Sequence, residues 1–215
     1  MADSPIITAD SVRQRFADTE LPANPTDVIK LPGSEQWPAS MRRQLEPPLI
    51  PAGVLIPIFD RLESGLSLLL TQRSAELKHH AGQVSFPGGR MEPEDADIAI
   101  TALRETHEEV GIPSEQVSVV GYLSPLPTIT GYAVTPIVGL VEAAAEPEVD
   151  HTEVDFVFEV PLSFLLEHGN QRLVERDFHG QKVPMFEFHY EQHRIWGATA
   201  MMIVEFINIL KKNKL

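Results

Sequence analysis

At 215 residues, 43% hydrophobic and 22% charged, the chain is long enough for one well-buried globular domain and cramped for two. Its 31 acidic residues against 17 basic give a net charge of −14, a field that repels polyphosphate backbones and argues against nucleic-acid binding. With no cysteine, disulfides, thiolate chemistry and cysteine-type zinc sites are excluded, which fits a reducing compartment.

The N-terminal residues lack a basic patch followed by an apolar run. The longest apolar stretch, 49–59, holds two prolines and is too short to span a bilayer. The expected location is therefore the cytoplasm, with no membrane partner. Residues 1–51 read as an N-terminal arm or extension. A short helix fits 12–17, after which Pro22, Pro25, Pro32, Pro38, Pro47 and Pro48 interrupt regular structure.

Residues 52–211 read as the main domain. It opens with apolar runs at 54–59 and 66–71 around a polar turn, the pattern of a hairpin. A shorter strand at 83–86 is closed by Pro87-Gly88-Gly89, and a helix follows over about 97–110. Further strands are expected at 117–123, 134–141, 154–160 and 183–190. A short helix is expected at 161–168, with Pro161 suited to its first turn. The last helix, 198–211, sets Met201, Met202, Val204, Ile207 and Leu210 at helical spacing. Strands and helices mix without strict alternation, so the expected class is α/β, a mixed sheet with helices on both faces.

At about 100° per residue, Ala99, Ala102, Leu103, Thr106 and Val110 share one face of the helix at 97–110, and Glu105, Glu108 and Glu109 share another. Acidic runs are ordinarily solvated helix faces, but this one is badly placed for that. Gly111 suits the position that ends a helix, so the three glutamates fill its last two turns, where the dipole disfavours each by about 0.3–1 kcal/mol. A bound Mg²⁺ or Mn²⁺ reverses the sign of each penalty, and carboxylates without His or Cys partners suit such hard cations. His107 points elsewhere on the wheel and reads as a surface or packed histidine.

Gly88-Gly89, Asp95 and Arg104-Glu105-Thr106-His107-Glu108-Glu109-Val110-Gly111-Ile112 together resemble the Nudix box. Asp95 stands where the general pattern has Glu, with one extra residue before Arg104. Both departures resemble the coenzyme A pyrophosphatase subfamily. Its additional signature is matched over Leu69-Leu70-Thr71-Gln72-Arg73-Ser74, Lys78, Gly82 and Phe86-Pro87-Gly88-Gly89, with Lys78 in place of Arg. The likeness extends through Thr130–Pro136, Glu153–Leu162 and Trp196–Ala200.

The resemblance implies a Nudix-type α/β/α sandwich and metal-dependent hydrolysis of a small-molecule diphosphate. For coenzyme A the products would be adenosine 3′,5′-bisphosphate and 4′-phosphopantetheine. ADP-ribose or NADH is the alternative substrate, and a catalytically silent nucleotide-binding domain is a further alternative. Glu105 and Glu109 are then the principal ligands of Mg²⁺ or Mn²⁺, with Glu108 sharing the metal and a Gly89 carbonyl completing the shell. Arg104 is expected to hold a neighbouring carboxylate, and Glu108 and Glu153 are the candidate general bases. Arg73, Lys78 and Arg90 are the candidate phosphate contacts, whereas Phe86 and Trp196 are expected in the core. By analogy alone, the arm is a candidate homodimer interface.

Overall fold

A computed structural model describes residues 7–29, 31, 34–61, 65–76, 81–178 and 180–212. Lys78 and the centre of the first hairpin turn lie outside them. In chain order the elements are α1 (Ala9–Phe16), α2 (Ala39–Gln44), β1 (Ile50–Arg61), β2 (Gly65–Arg73), β3 (Val84–Ser85), β4 (Gly88–Arg90), α3 (Ile98–Val110), β5 (Val117–Tyr122), β6 (Leu126–Pro127), β7 (Tyr132–Val141), β8 (Val154–Pro161), α4 (Leu162–Leu166), β9 (Arg172–Phe178), β10 (Gln181–Tyr190), β11 (His193–Trp196) and α5 (Gly197–Lys211).

Successive strand residues point to opposite faces of a sheet, and the central strands are apolar on both. Leu55 and Phe59 of β1 pack toward α3, along with Leu69, Ile137 and Val141. Their neighbours Ile56, Ile58, Leu68, Leu70 and Val138 pack into a larger core shared with α1, α4 and α5. One sheet therefore carries helices on both faces, the expected α/β/α sandwich. In α5, Ile203, Phe206, Ile207 and Leu210 are buried, and each side chain contributes about 1.5–3 kcal/mol. Their sum outweighs the absence of a side-chain cap at Trp196, a loss of about 1 kcal/mol.

The sheet is mixed. β1 runs parallel to β7 over Ile50↔Tyr132 to Phe59↔Val141, while its other pairings are antiparallel. β1 and β2 pair only beside their turn, from Ile58↔Leu68 to Arg61↔Gly65. Beyond it they splay apart: β4 takes the freed edge of β1, and β3 takes that of β2. The connection Phe86-Pro87-Gly88 crosses this opening, and the Leu55 amide donates to the Pro87 carbonyl at 2.9 Å. That crossing sets the glycine pair against the last turns of α3.

A second, three-stranded sheet has the order β11-β10-β9. Its outer strands were absent from the sequence expectation, because Arg172–Phe178 is largely polar and His193–Trp196 is short. β4 and β6 also escaped it, being two or three residues long. Pro161 ends β8 and caps α4 instead of entering its first turn. The segment before β1 is packed rather than loose: Val12, Phe16, Leu31, Trp37 and Met41 are buried, and Phe16 stacks on Phe206 at 5.4 Å. Among the described residues, no helix is long and apolar enough to cross a membrane.

Candidate active site

Two caps place α3. Asp97 stands extended before it, and its Oδ1 accepts from the amides of Ala99 and Ile100, both at 2.9 Å. At the other end Gly111 adopts a φ of 67° and its N–H donates to the His107 carbonyl. A Cβ there would also lie 2.8 Å from the Glu148 carbonyl oxygen, so this helix end requires glycine on two counts.

The glutamates on α3 differ in depth. Glu109 is 2% exposed, Glu105 is partly buried, and the Glu108 side chain is 59% exposed. The shared face expected from the wheel is thus an arc running from core to solvent. Glu109 follows Ala102 and Thr106 by seven and three positions, and both of those are fully buried.

Glu109 Oε1 accepts from Arg73 Nη1 at 3.0 Å and Oε2 from the Gly88 amide at 3.1 Å. Burial nevertheless pushes its carboxyl up to about 7, with Glu153 and Glu105 adding to the shift against the pull of Arg73 and Gly88. Burial also raises Glu105. Arg73 reaches a second carboxylate, with Nη2 3.9 Å from Glu153, whose side chain is 51% exposed. The arginine expected at phosphate therefore faces two carboxylates, while still lining the neighbouring cavity.

Arg104 ties the other side together. Its Nε and Nη2 fork onto Asp95, both at 3.0 Å, and its Nη1 reaches Glu105 and Glu108, again at 3.0 Å. Asp95 is buried and also accepts from Thr101 Oγ1 and the Glu92 amide. The Arg104 hydrogen bonds dominate and hold the Asp95 carboxyl down at about 2, against the opposing effect of burial. The same pairing raises Arg104. The anchoring role of Asp95 was missed from sequence; its placement nine residues before an arginine is a weak signal unless the loop between them is known. Arg90 is exposed, and its carbonyl accepts from Arg104 Nη2 at 3.3 Å.

Gly89 sits against this cluster. A Cβ on it would lie 2.5 Å from the Cδ and both carboxylate oxygens of Glu105, so a larger residue would displace the Glu105 carboxylate from the strand backbone. Among the described residues, no three His, Asp or Glu side chains form a ready-made metal cage. The donor chemistry nonetheless fits a hard cation. It consists of carboxylate oxygens beside a partly buried glycine backbone, with one carboxylate buried at an energetic cost that a bound cation offsets.

A cavity of about 670 Å³ opens beside the glycine pair. Arg73, Gly88, Gly89 and Arg90 line one side; Trp37, Met185 and Trp196 are among the residues lining the remainder. Phe86 is buried as expected, whereas Trp196 is only partly buried and forms cavity wall under the Arg194 guanidinium. The wall from Trp37 and Met41 could not be read from sequence, because the proline-rich segment carries no periodic pattern.

Comparison with known proteins bears on this arrangement. A family model described as NUDIX domain matches residues 49–186. A protein named uncharacterized Nudix hydrolase NudL from Photorhabdus laumondii is 46% identical over 152 residues, covering 71% of this chain and 80% of that one. Its namesake from Citrobacter koseri is 44% identical, with 72% and 79% covered. Among solved structures, an Ap4A hydrolase from C. elegans is similar at a TM-score of 0.43 and 21% identity, over 52% of this chain and 80% of that one. A MutT protein from Methanosarcina mazei is similar at 0.44 and 26%, over 57% and 83%.

Proposed function

The chain belongs to the Nudix family of hydrolases, and from that premise we propose that it hydrolyses the diphosphate of coenzyme A or a derivative, releasing adenosine 3′,5′-bisphosphate and 4′-phosphopantetheine. The observation that carries this reading is the buried Glu109, bonded to the Gly88 amide, with Glu105 against Gly89 at the edge of the 670 Å³ cavity. The coenzyme A signature around Arg73 and Phe86-Pro87-Gly88-Gly89 supports the substrate class.

Glu105, Glu109 and the Gly89 carbonyl are the proposed holders of Mg²⁺ or Mn²⁺, with Glu108 as a further ligand. When bound, the ion supplies positive charge to offset repulsion between diphosphate and the acidic chain, and Lewis-acid polarisation of the phosphoryl group. Arg104, itself fixed by Asp95, positions Glu105 and Glu108. Water attacks one phosphorus as the bridging P–O bond breaks, and a carboxylate accepts its proton. Glu108 and Glu153 are the candidates, since both are solvent-accessible beside an arginine. Arg90 and Arg73 line the cavity where phosphate would lie. The role given to Lys78 rests on sequence alone.

The test is product analysis with coenzyme A, ADP-ribose and NADH in parallel, each with Mg²⁺, Mn²⁺ or chelator, alongside Glu109→Gln. Metal-dependent release of adenosine 3′,5′-bisphosphate from coenzyme A, lost in the variant, is the expected result. Cleavage of ADP-ribose or NADH alone would reject the substrate assignment, and cleavage of none would reject the enzymatic reading for these substrates.

A further inference from the structure

Cationic groups are scarce in a chain of net charge −14, yet one face of the small sheet is positive. Directly paired residues of an antiparallel sheet share a face. The pairs Arg172↔Glu187, Arg176↔Val183, His189↔Arg194 and Glu187↔Trp196 therefore gather three arginines and a histidine around one glutamate. Glu187 is 4% exposed and accepts from Arg176 Nη2 at 2.6 Å and Arg194 Nε at 2.9 Å, with His189 Nε2 at 2.8 Å. One carboxylate cannot neutralise three guanidinium groups, so a positive excess remains on this face even with His189 neutral.

That excess borders the active-site cavity. Arg194 lies over the Trp196 ring at 5.1 Å, and Trp196 and Met185, both on this face, line the cavity. Arg194 uses only Nε on Glu187; among the described residues neither of its Nη atoms has a hydrogen-bond partner. The side chain is thus aligned by Glu187 and Trp196 while its outer donors stay free. The first residues of α5, Gly197 to Thr199, also line the cavity, and this helix start has no side-chain cap. Its amide end adds to the positive potential that the arginines establish.

The side of the cavity lined by Arg73 and the glycine pair differs. Arg73 is bonded to Glu109 and lies near Glu153, so its charge is largely compensated there. Arg194 does not itself line the cavity and is joined to it through Trp196, so an anionic group that extends beyond the cavity past Trp196 finds better partners there than at Arg73.

We propose that Arg194, supported by Arg176 and His189 around Glu187, recognises a phosphomonoester that the substrate carries away from its diphosphate. The proposal rests on the diphosphate-hydrolase reading, and it makes Arg194 a specificity residue outside the carboxylate machinery. Guanidinium suits this role because its fork can meet two phosphate oxygens from one aligned position.

Calorimetric binding of adenosine 3′,5′-bisphosphate and of AMP, which differ by one phosphomonoester, tests it. Wild-type protein is expected to bind the bisphosphate about tenfold more tightly or better, as one charge-assisted contact implies. Arg194→Gln should remove most of that advantage and leave AMP affinity unchanged, and Arg194→Lys should retain part of it. Lys182→Gln removes one positive charge from the other face of the same sheet, and should leave the advantage intact. Equal affinity of the wild type for both probes, absence of binding to either, or equal weakening of both by Arg194→Gln would overturn the proposal. Wild-type hydrolysis reports separately on the underlying reading: selective binding without hydrolysis of coenzyme A rejects that reading and leaves the phosphomonoester site standing.

Discussion

Glu109 and Glu187 are both buried glutamates bonded to arginine, and their surroundings drive them in opposite directions. At Glu187, burial raises the carboxyl, but hydrogen bonds from Arg176, His189 and Arg194 outweigh it and hold the group down at about 2. At Glu109, burial prevails over one arginine and one amide, and the group is pushed up to about 7. Two differences set the outcome: desolvation is heavier at Glu109, and more charged donors are aimed at Glu187. Glu187 is satisfied by the protein alone. Glu109 is left short of positive charge, which fits its proposed role as a cation ligand.

The largest expected effect is on catalysis. Glu109→Gln should lower hydrolysis by on the order of 10²–10³-fold, as loss of a principal charge-stabilising contact does. Its stability should not suffer, because the change removes an incompletely compensated buried charge. Steady-state rates and thermal melts on one preparation check both halves. Arg104→Gln should cost about 10–100-fold, acting through Asp95, Glu105 and Glu108 rather than through substrate. The variant should therefore show weakened metal dependence of the rate as well as reduced turnover.

Glu187→Gln should do the reverse, sparing the maximal rate per folded molecule, raising KM for coenzyme A through the loss of Arg194 alignment, and lowering stability. Its arginine partners are 42% and 37% exposed, so solvent screens part of the loss. About 1–2 kcal/mol is expected, a melting shift of roughly 2–8 °C. A turnover loss as large as that of Glu109→Gln would break the division between the two regions.

The smallest effect is in the pH dependence of stability, read by urea unfolding in chelator. Unfolded glutamate titrates near 4.5. Between 4.5 and about 7, folded Glu109 keeps a proton that the unfolded chain has released, so its contribution falls as pH rises through that window. Between about 2 and 4.5, folded Glu187 is ionised while the unfolded chain is protonated, so its contribution is lost as pH falls. Glu109→Gln should flatten the first slope and Glu187→Gln the second.

Much of the frame was legible because it rests on local patterns. The apolar runs of β1, β2 and β7 and the Gly111 end of α3 are set by a few adjacent residues. The carboxylate cluster was legible as a breach of the dipole preference. Depth was not, because a wheel gives angles and cannot show that the Gly88 turn covers Glu109. Nor was the Arg73–Glu109 pair, whose members lie 36 residues apart and meet only through the splay of β1 and β2. The small sheet was obscured for a similar reason: in β9 and β11, pairing with β10 overrides polar composition.

The most direct measurement is titration of Mn²⁺ into wild-type protein, Glu109→Gln and Glu187→Gln, followed by calorimetry at neutral pH. Wild type and Glu187→Gln should bind the ion alike, and Glu109→Gln should lose most of that affinity. Undiminished Mn²⁺ binding by Glu109→Gln would contradict the assignment of the buried end of α3 as the cation site.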